Sequence, residues 1–191
     1  FPEVLSSSSF QEAAGHSLVV SLCAAGAGVV LAFVCGYLVY RTQSPGRSLV
    51  EGVAMVPLAL PAVVLGMGLL WTWLVLPVPL YGTIAVLVVA FLAVQAPQGF
   101  RGVASSILAT DRDLEDSAVM LGASRARAVA SVTVPLMKVG LLSTFLLLLM
   151  LSMRELTVPL FLYTSDTEIL SIAIYDAFEN GGALREAAAM S

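Results

Sequence analysis

Charge is what this sequence has least of. Asp, Glu, Lys and Arg make up 12% of its 191 residues, against about 25% in an ordinary soluble domain. None occurs from Ser17 to Tyr40, and none from Gly52 to Phe100. A water-soluble core is not built from runs of that length, so a soluble globular domain is excluded. With 59% hydrophobic residues and a mean hydropathy of +0.95, the chain has lipid as its better solvent.

The other scarcities exclude particular chemistries. Lysine occurs once, at Lys138, and nowhere is there a Gly, four residues, then Gly-Lys-Ser/Thr. A phosphate-cradling loop is therefore absent, and any ATP hydrolysis is expected on another polypeptide. A net charge of −4 and a pI near 4.8 leave no basic stripe for a nucleic acid. The lone histidine, His16, has no second His or Cys at ligand spacing, so no metal site is expected. The two cysteines, Cys23 and Cys35, share one apolar segment; as helix they stand about 18 Å apart, too far for a disulfide. They read as small apolar residues. No cluster of nucleophile, base and acid points to an enzyme.

What is present is a series of apolar runs. The first span is expected at 17–40. Within it Ala24, Gly28, Ala32 and Gly36 recur every four residues, a small-residue stripe on which another helix can pack closely. Residues 41–48 hold Arg41, Arg47 and a Pro-Gly turn signal. The long run after Gly52 exceeds one span, and Pro77, Pro79, Tyr81 and Gly82 divide it into spans of 49–76 and 83–100. Pro57 and Pro61 are expected to kink the former, and Trp71 and Trp73 suit a membrane interface. A polar stretch, 101–135, precedes a fourth span at 137–158, and an acidic segment follows at 163–186. The run starting at Ala187 reads as the beginning of a fifth span. Because the chain opens at Phe1 without Met or a basic leader, it is expected to lack a signal peptide and to be one membrane domain, 1–191, of a longer protein.

Seven of the nine Lys and Arg residues fall in or beside the 41–48 and 101–138 regions. The positive-inside rule places both in the cytoplasm, leaving the N-terminus, the 77–82 turn and 163–186 outside. In the second cytoplasmic region, Asp111 and Ser124 are capping residues for two short helices joined at Gly122. Leu114, Ala118 and Leu121 share a face of the first. That apolar face needs a cover, either its own membrane helices or a separate protein.

Asp116-Ser117-Ala118, Gly122 six residues on, then Val132, Val134 and Pro135 resemble the signature loop of ABC importer permeases: Glu-Ala-Ala, three residues, Gly, nine residues, Ile-x-Leu-Pro. Glu12-Ala13-Ala14 and Glu186-Ala187-Ala188 match the wording but not the spacing. Here Asp replaces Glu and Ser replaces the first Ala, so the acidic role falls on Asp116 or on its neighbour Glu115. The resemblance extends through Leu58-Ala59-Leu60-Pro61 and Val64-Leu65-Gly66. In Met153-Arg154-Glu155-Leu156, Glu168-Ile169-Leu170-Ser171 and Glu179-Asn180-Gly181 it looks like the ferric-iron branch.

The resemblance implies an all-α polytopic helical bundle of the type I, MetI-like class in a bacterial plasma (inner) membrane. It implies a loop that couples to a cytoplasmic ABC ATPase dimer, a second permease half, an extracytoplasmic solute-binding protein, and no cofactor on this chain, ATP being used by the ATPase. The solute implied is ferric iron, with thiamine, polyamine or phosphonate as alternatives. A secondary transporter or channel that needs no ATPase is the reading from another class.

Arg154 and Glu155 form a candidate transport path. Only 15 residues separate Lys138 from Arg154, about 23 Å as helix against a hydrocarbon thickness of about 30 Å. Both charges then fall within or at the outer edge of the membrane, where a solute path or an interfacial, snorkelling pair are the two readings. Asp166, Glu168, Asp176 and Glu179 read as a solvated outer surface, a docking face for a binding protein, or oxygen ligands for a hard cation.

Overall fold

A computed structural model of the chain describes residues 8–78 and 80–179. Pro79, Arg185, the Glu186-Ala187-Ala188 string and the expected fifth span lie outside the described residues. Those described are helical, with no strand among them. In order they form α1 (Ser8–Arg41), α2 (Arg47–Met55), a 3-10 turn (Val56–Ala59), α3 (Ala62–Val75) and α4 (Ile84–Leu108). The chain continues through α5 (Arg112–Met120), α6 (Arg125–Ala128), a π segment (Val129–Thr133), α7 (Val134–Leu136) and α8 (Lys138–Met153). It then forms α9 (Pro159–Leu162), a second 3-10 turn (Ser165–Thr167) and α10 (Leu170–Glu179). Ser9–Arg41 and Ile84–Leu108 are each long and apolar enough to cross a bilayer, and two bent helix pairs qualify if each is taken as one span.

The helix limits differ from those that charge alone suggested. α1 begins well before residue 17, because Gln11, Glu12 and His16 fit a helix as readily as its apolar continuation does. α4 runs past Arg101 to Leu108. A charged residue prefers water but does not end a helix, and the polar residues here support it: the Oγ atoms of Ser105 and Ser106 both donate to the carbonyl of Gly102. At the end of α4, Arg41 Nη2 donates to the carbonyls of Ile107 (3.1 Å) and Thr110 (2.6 Å), placing a cation at the negative end of the helix. The expected 49–76 span is interrupted rather than merely kinked: Pro57 lies in the 3-10 turn and Pro61 stands just before α3, neither offering an N–H to a continuing ladder. The fourth expected span, 137–158, is helical from Lys138 to Met153.

The chain divides into two compact units. One takes the described parts of Phe1–Ala25, Leu60–Val94 and Leu149–Ser191. Its core joins Val20 and Ala24 of α1 with Val86, Leu87, Ala90 and Phe91 of α4 and with Val158, Leu162, Ile169 and Ile172. α3 packs on α9 through Gly66, where an added Cβ would lie 2.8 Å from Phe161 Cδ2 and 3.4 Å from Val158 Cα. Polar bonds fix the later segment: Ser17 Oγ accepts the N–H of Leu170 at 2.7 Å, and His16 Nδ1 lies 3.1 Å from the Glu168 carbonyl.

The other unit takes Gly26–Ala59 and Gln95–Leu148. Its buried apolar groups are Ala32, Val103, Ile107 and Met137, and a second set of Val39, Phe100 and Ala104. Small residues bring α4 close to both neighbours. A Cβ on Gly99 would lie 3.5 Å from Ala32 Cβ and 3.7 Å from the Gly28 carbonyl, and one on Gly36 would lie 3.1 Å from Ile107 Cδ1. Toward α8, a Cβ on Gly99 would lie 3.3 Å from Leu148 Cδ1, Gly102 faces Thr144, and Gly140 leaves no room for any side chain beside Ser106. Such close approach is how helices gain dispersion energy where lipid removes the hydrophobic drive. Of the small-residue stripe, Gly28, Ala32 and Gly36 belong to this unit, and Ala24 is buried in the other.

Candidate functional site

The polar stretch builds a short helical hairpin in the second unit. Asp111, in extended conformation, accepts the N–H of Asp113 at 3.1 Å and so caps α5, whose first turn carries Asp113 and Glu115. Acids there complement the positive end of the helix. α5 stops at Gly122, whose φ is +94°. The Gly122 N–H bonds to the Val119 carbonyl (2.9 Å) and the Ala123 N–H to that of Ala118 (3.1 Å), the paired closure that wants a left-handed residue after the last turn. Open space surrounds the position where a Gly122 Cβ would be. Within the chain, glycine is therefore required for backbone conformation and not for a close neighbour. Ser124 then caps α6, accepting the N–H of Arg127.

Beyond α6 the ladder widens. Val134 bonds to the carbonyl of Val129, five residues back, across the π segment. Pro135 has no N–H to offer Ser131, which favours this wider turn at a position where an α-turn would lose a bond. The consequence is the placing of Thr133, 2% exposed, with its hydroxyl directed at α5.

Glu115 receives it. This carboxylate, 3% exposed, is the one buried side chain of α5. Its Oε2 accepts from Thr133 Oγ1 at 2.7 Å, and its Oε1 accepts from Tyr37 Oη at 2.5 Å and from Arg125 Nη1 at 3.3 Å. Burial by itself pushes the Glu115 carboxyl up, but the bonds from Tyr37, Thr133 and Arg125 outweigh it and hold the group below its ordinary range. Asp116, next in sequence, is outside this pocket. It takes 2.7 Å from Arg125 Nη1 and 3.4 Å from Arg112 Nε, on side chains that are 40% to 53% exposed. The Arg125 hydrogen bond lowers the Asp116 carboxyl, and the same contact raises the guanidinium.

The two acids are thus divided by role: Glu115 faces inward and Asp116 outward. Ser117 bonds back to the Asp113 carbonyl at 2.6 Å. Ala118, Val132 and Val134 are half-buried and Pro135 is exposed. On the outer side Met120 and Leu121 are 89% and 90% exposed and Leu114 is 50% exposed, an apolar surface beside the ion-paired Asp116. Tyr37 and Thr133 were not singled out from sequence. The available signal was that each is a polar group inside an apolar run, which must find a partner.

Arg154 and Glu155 belong to the first unit and the hairpin to the second. They stand in the link between α8 and α9 rather than on a helix. Glu155 Oε1 accepts the N–H groups of Thr157 (3.1 Å) and Val158 (3.4 Å), and its carbonyl accepts Ser171 Oγ at 2.8 Å. It therefore organises the turn into α9. Arg154 is exposed and, among the described residues, takes part in no ion pair. Of the acids in the later segment, Asp166 and Glu179 are exposed and Glu168 and Asp176 half-buried. Burial first, and the Asp176 charge second, push the Glu168 carboxyl up.

Residues 28–189 match the family model described as binding-protein-dependent transport system inner membrane component. The chain belongs to this family. Its similarity to the ferric transport system permease protein FbpB of Actinobacillus pleuropneumoniae is 24% identity over 174 residues, 89% of this chain and 25% of that protein. To the putative 2-aminoethylphosphonate transport system permease protein PhnV of Salmonella typhimurium it is 28% over 169 residues, 86% of this chain and 62% of the relative. The molybdate/tungstate permease protein WtpB of Thermococcus kodakarensis matches at 34% over 125 residues, 65% of this chain and 49% of the relative. This family member thus spans less than two thirds of each of these curated relatives. The fold is that of a bacterial ABC transporter involved in the import of the acidic polysaccharide alginate, with a TM-score of 0.74 at 18% identity, over all of this chain and 75% of that one. As a family member the chain is an inner-membrane, all-helical permease component.

Proposed function

We propose that this chain is the solute-conducting part of an ATP-driven, binding-protein-dependent importer, with the 111–135 hairpin as the surface on which a separate cytoplasmic ATPase acts. The observation that carries this reading is an apolar knob, Leu114, Met120 and Leu121, left exposed on a short helix that is itself held rigidly from beneath by Glu115. An exposed apolar group on a capped, anchored helix is suited to fill a cleft on a partner. The ion-paired Asp116 and Arg125 beside it set register. ATP belongs to the partner, and no cofactor is assigned to this chain.

A second permease half and an external solute-binding protein complete the assembly, in keeping with the family's description. Ferric iron is the solute we assign, on the likeness of the Met153–Leu156 and Glu168–Ser171 regions to that branch and on the FbpB relative, which matches 89% of the chain. The names of the PhnV and WtpB relatives support an aminoethylphosphonate or molybdate reading. Arg154, exposed and free of an ion pair among the described residues, is the charge we place on the solute path; Glu155 shapes the link that carries it.

Uptake by the full-length permease, reconstituted in vesicles with its ATPase and binding protein, tests the whole reading. ATP-dependent entry of ferric iron is expected. ATP-dependent entry of 2-aminoethylphosphonate or molybdate instead would replace the solute and keep the mechanism. Uptake indifferent to ATP would overturn the importer reading in favour of a channel or secondary transporter.

A further inference from the structure

Resting on that function, the structure points to a residue through which motion leaves the hairpin. α5 has nine residues and a single buried one. Its remaining side chains are exposed or half-buried, so apolar packing gives it little purchase on the rest of the unit. The purchase comes from one carboxylate. Glu115 binds Tyr37, a residue of α1 that is 78 positions away in the chain, and Thr133, the last residue of the π segment that leads into α7 and α8. Both bonds, at 2.5 and 2.7 Å, are short, as expected where the acceptor is ionised. Arg125 closes the hairpin by reaching Glu115 and Asp116 from one nitrogen, Nη1.

A charged acceptor shared by three donors resists displacement in any direction, and if it moves it leaves the buried Thr133 hydroxyl unsatisfied. We infer that Glu115 is the positioning residue that transmits displacement of the exposed knob to α1, through Tyr37, and to the chain entering α8, through Thr133. Asp116 has a different part. Its partners Arg112 and Arg125 lie on the hairpin itself, so it stiffens the hairpin without connecting it to a membrane helix.

The test uses the reconstituted full-length complex and two readouts: ATP hydrolysed per solute imported, and affinity of the ATPase for the permease. Glu115→Gln keeps the size of the side chain and removes its charge; it should raise ATP consumed per solute about 10-fold, within the range that coupling residues command. ATPase affinity should stay within about twofold, because the knob is untouched. Tyr37→Phe and Thr133→Val, which keep shape and lose one hydroxyl each, guard against a folding defect in the first variant. They should raise the ratio about threefold each, and Tyr37→Phe added to Glu115→Gln should change little further, since the two groups act as one unit. Leu121→Ala is the contrasting variant, expected to lower ATPase affinity.

An unchanged ratio in Glu115→Gln, with ATP-driven uptake by the wild type, would overturn this inference alone. So would a fall in ATPase affinity equal to that of Leu121→Ala, which would make Glu115 part of the docking surface. Wild-type uptake that needs no ATP would overturn the proposed function and this inference with it.

Discussion

α5 and the part of α4 from Gln95 onward lie in one unit and are built on opposite principles. α4 places Gly99 and Gly102 against α1 and α8 and buries Phe100, Val103, Ala104 and Ile107. Its stability is spread over many weak contacts. α5 buries one carboxylate and leaves its large apolar groups in the open. Distributed packing suits an element that must keep its neighbours in place, and a concentrated polar anchor suits the moving part we propose for α5, because a single point then defines the pivot.

The largest effect expected from breaking this contrast is at the anchor. Glu115→Ala leaves Tyr37 and Thr133 without their acceptor and Arg125 with Asp116 alone; thermal unfolding of the full-length protein in detergent should show a loss of about 3 kcal/mol. Next comes the packing of α4. Gly102→Val drives a side chain into Thr144 and should cost about 2 kcal/mol by the same assay, with no change in ATPase affinity.

Smaller, and sharper, is Gly122. Its φ of +94° with open space around it predicts that Gly122→Ala and Gly122→Leu destabilise the isolated permease equally, by about 1 kcal/mol. A larger loss for Leu would show a close neighbour that the fold does not contain. In the assembled transporter the Leu variant should be the worse of the two in ATP used per solute, since its added bulk stands beside the apolar knob on which we propose the ATPase acts.

The mildest test is acidification. Glu115 has a folded-state pKa below its ordinary value, so its contribution is complete above the ordinary carboxyl range and is lost as the pH falls through the depressed folded value. The stability advantage of wild type over Glu115→Gln should therefore be constant near neutrality and vanish in acid. A persisting difference would mean that the charge of Glu115 is not what anchors α5.

Charge-free runs were enough to read a helical membrane protein, and motif spacing was enough to find the hairpin with its caps at Asp111 and Ser124. Helix ends were less legible. Arg101 and Arg154 look alike as charges after an apolar run, yet one lies inside α4 and the other follows the end of α8. The difference is made by hydroxyls bonding back within α4 and by Arg41 arriving from α1, information that sits far from the boundary itself. The choice between Glu115 and Asp116 was illegible for the same reason. Adjacent acids are equivalent until Tyr37 and Thr133, 78 and 18 positions away, are brought to one of them.

The π segment at Val129–Thr133 has a consequence for how this stretch tolerates change in length. The wider turn takes up one residue more than an α-turn at nearly the same rotation, so the helical segments on either side keep their facing. In an uninterrupted α-helix the same extra residue would turn everything beyond it by about 100°. The surplus residue is thus absorbed locally, where Pro135 has no N–H to give to a continuing α ladder, and Thr133 still faces Glu115. A change of one residue in length is best borne inside this segment, whereas the same change within the α-helical turns of α5 would carry Glu115 off the line of Tyr37 and Thr133.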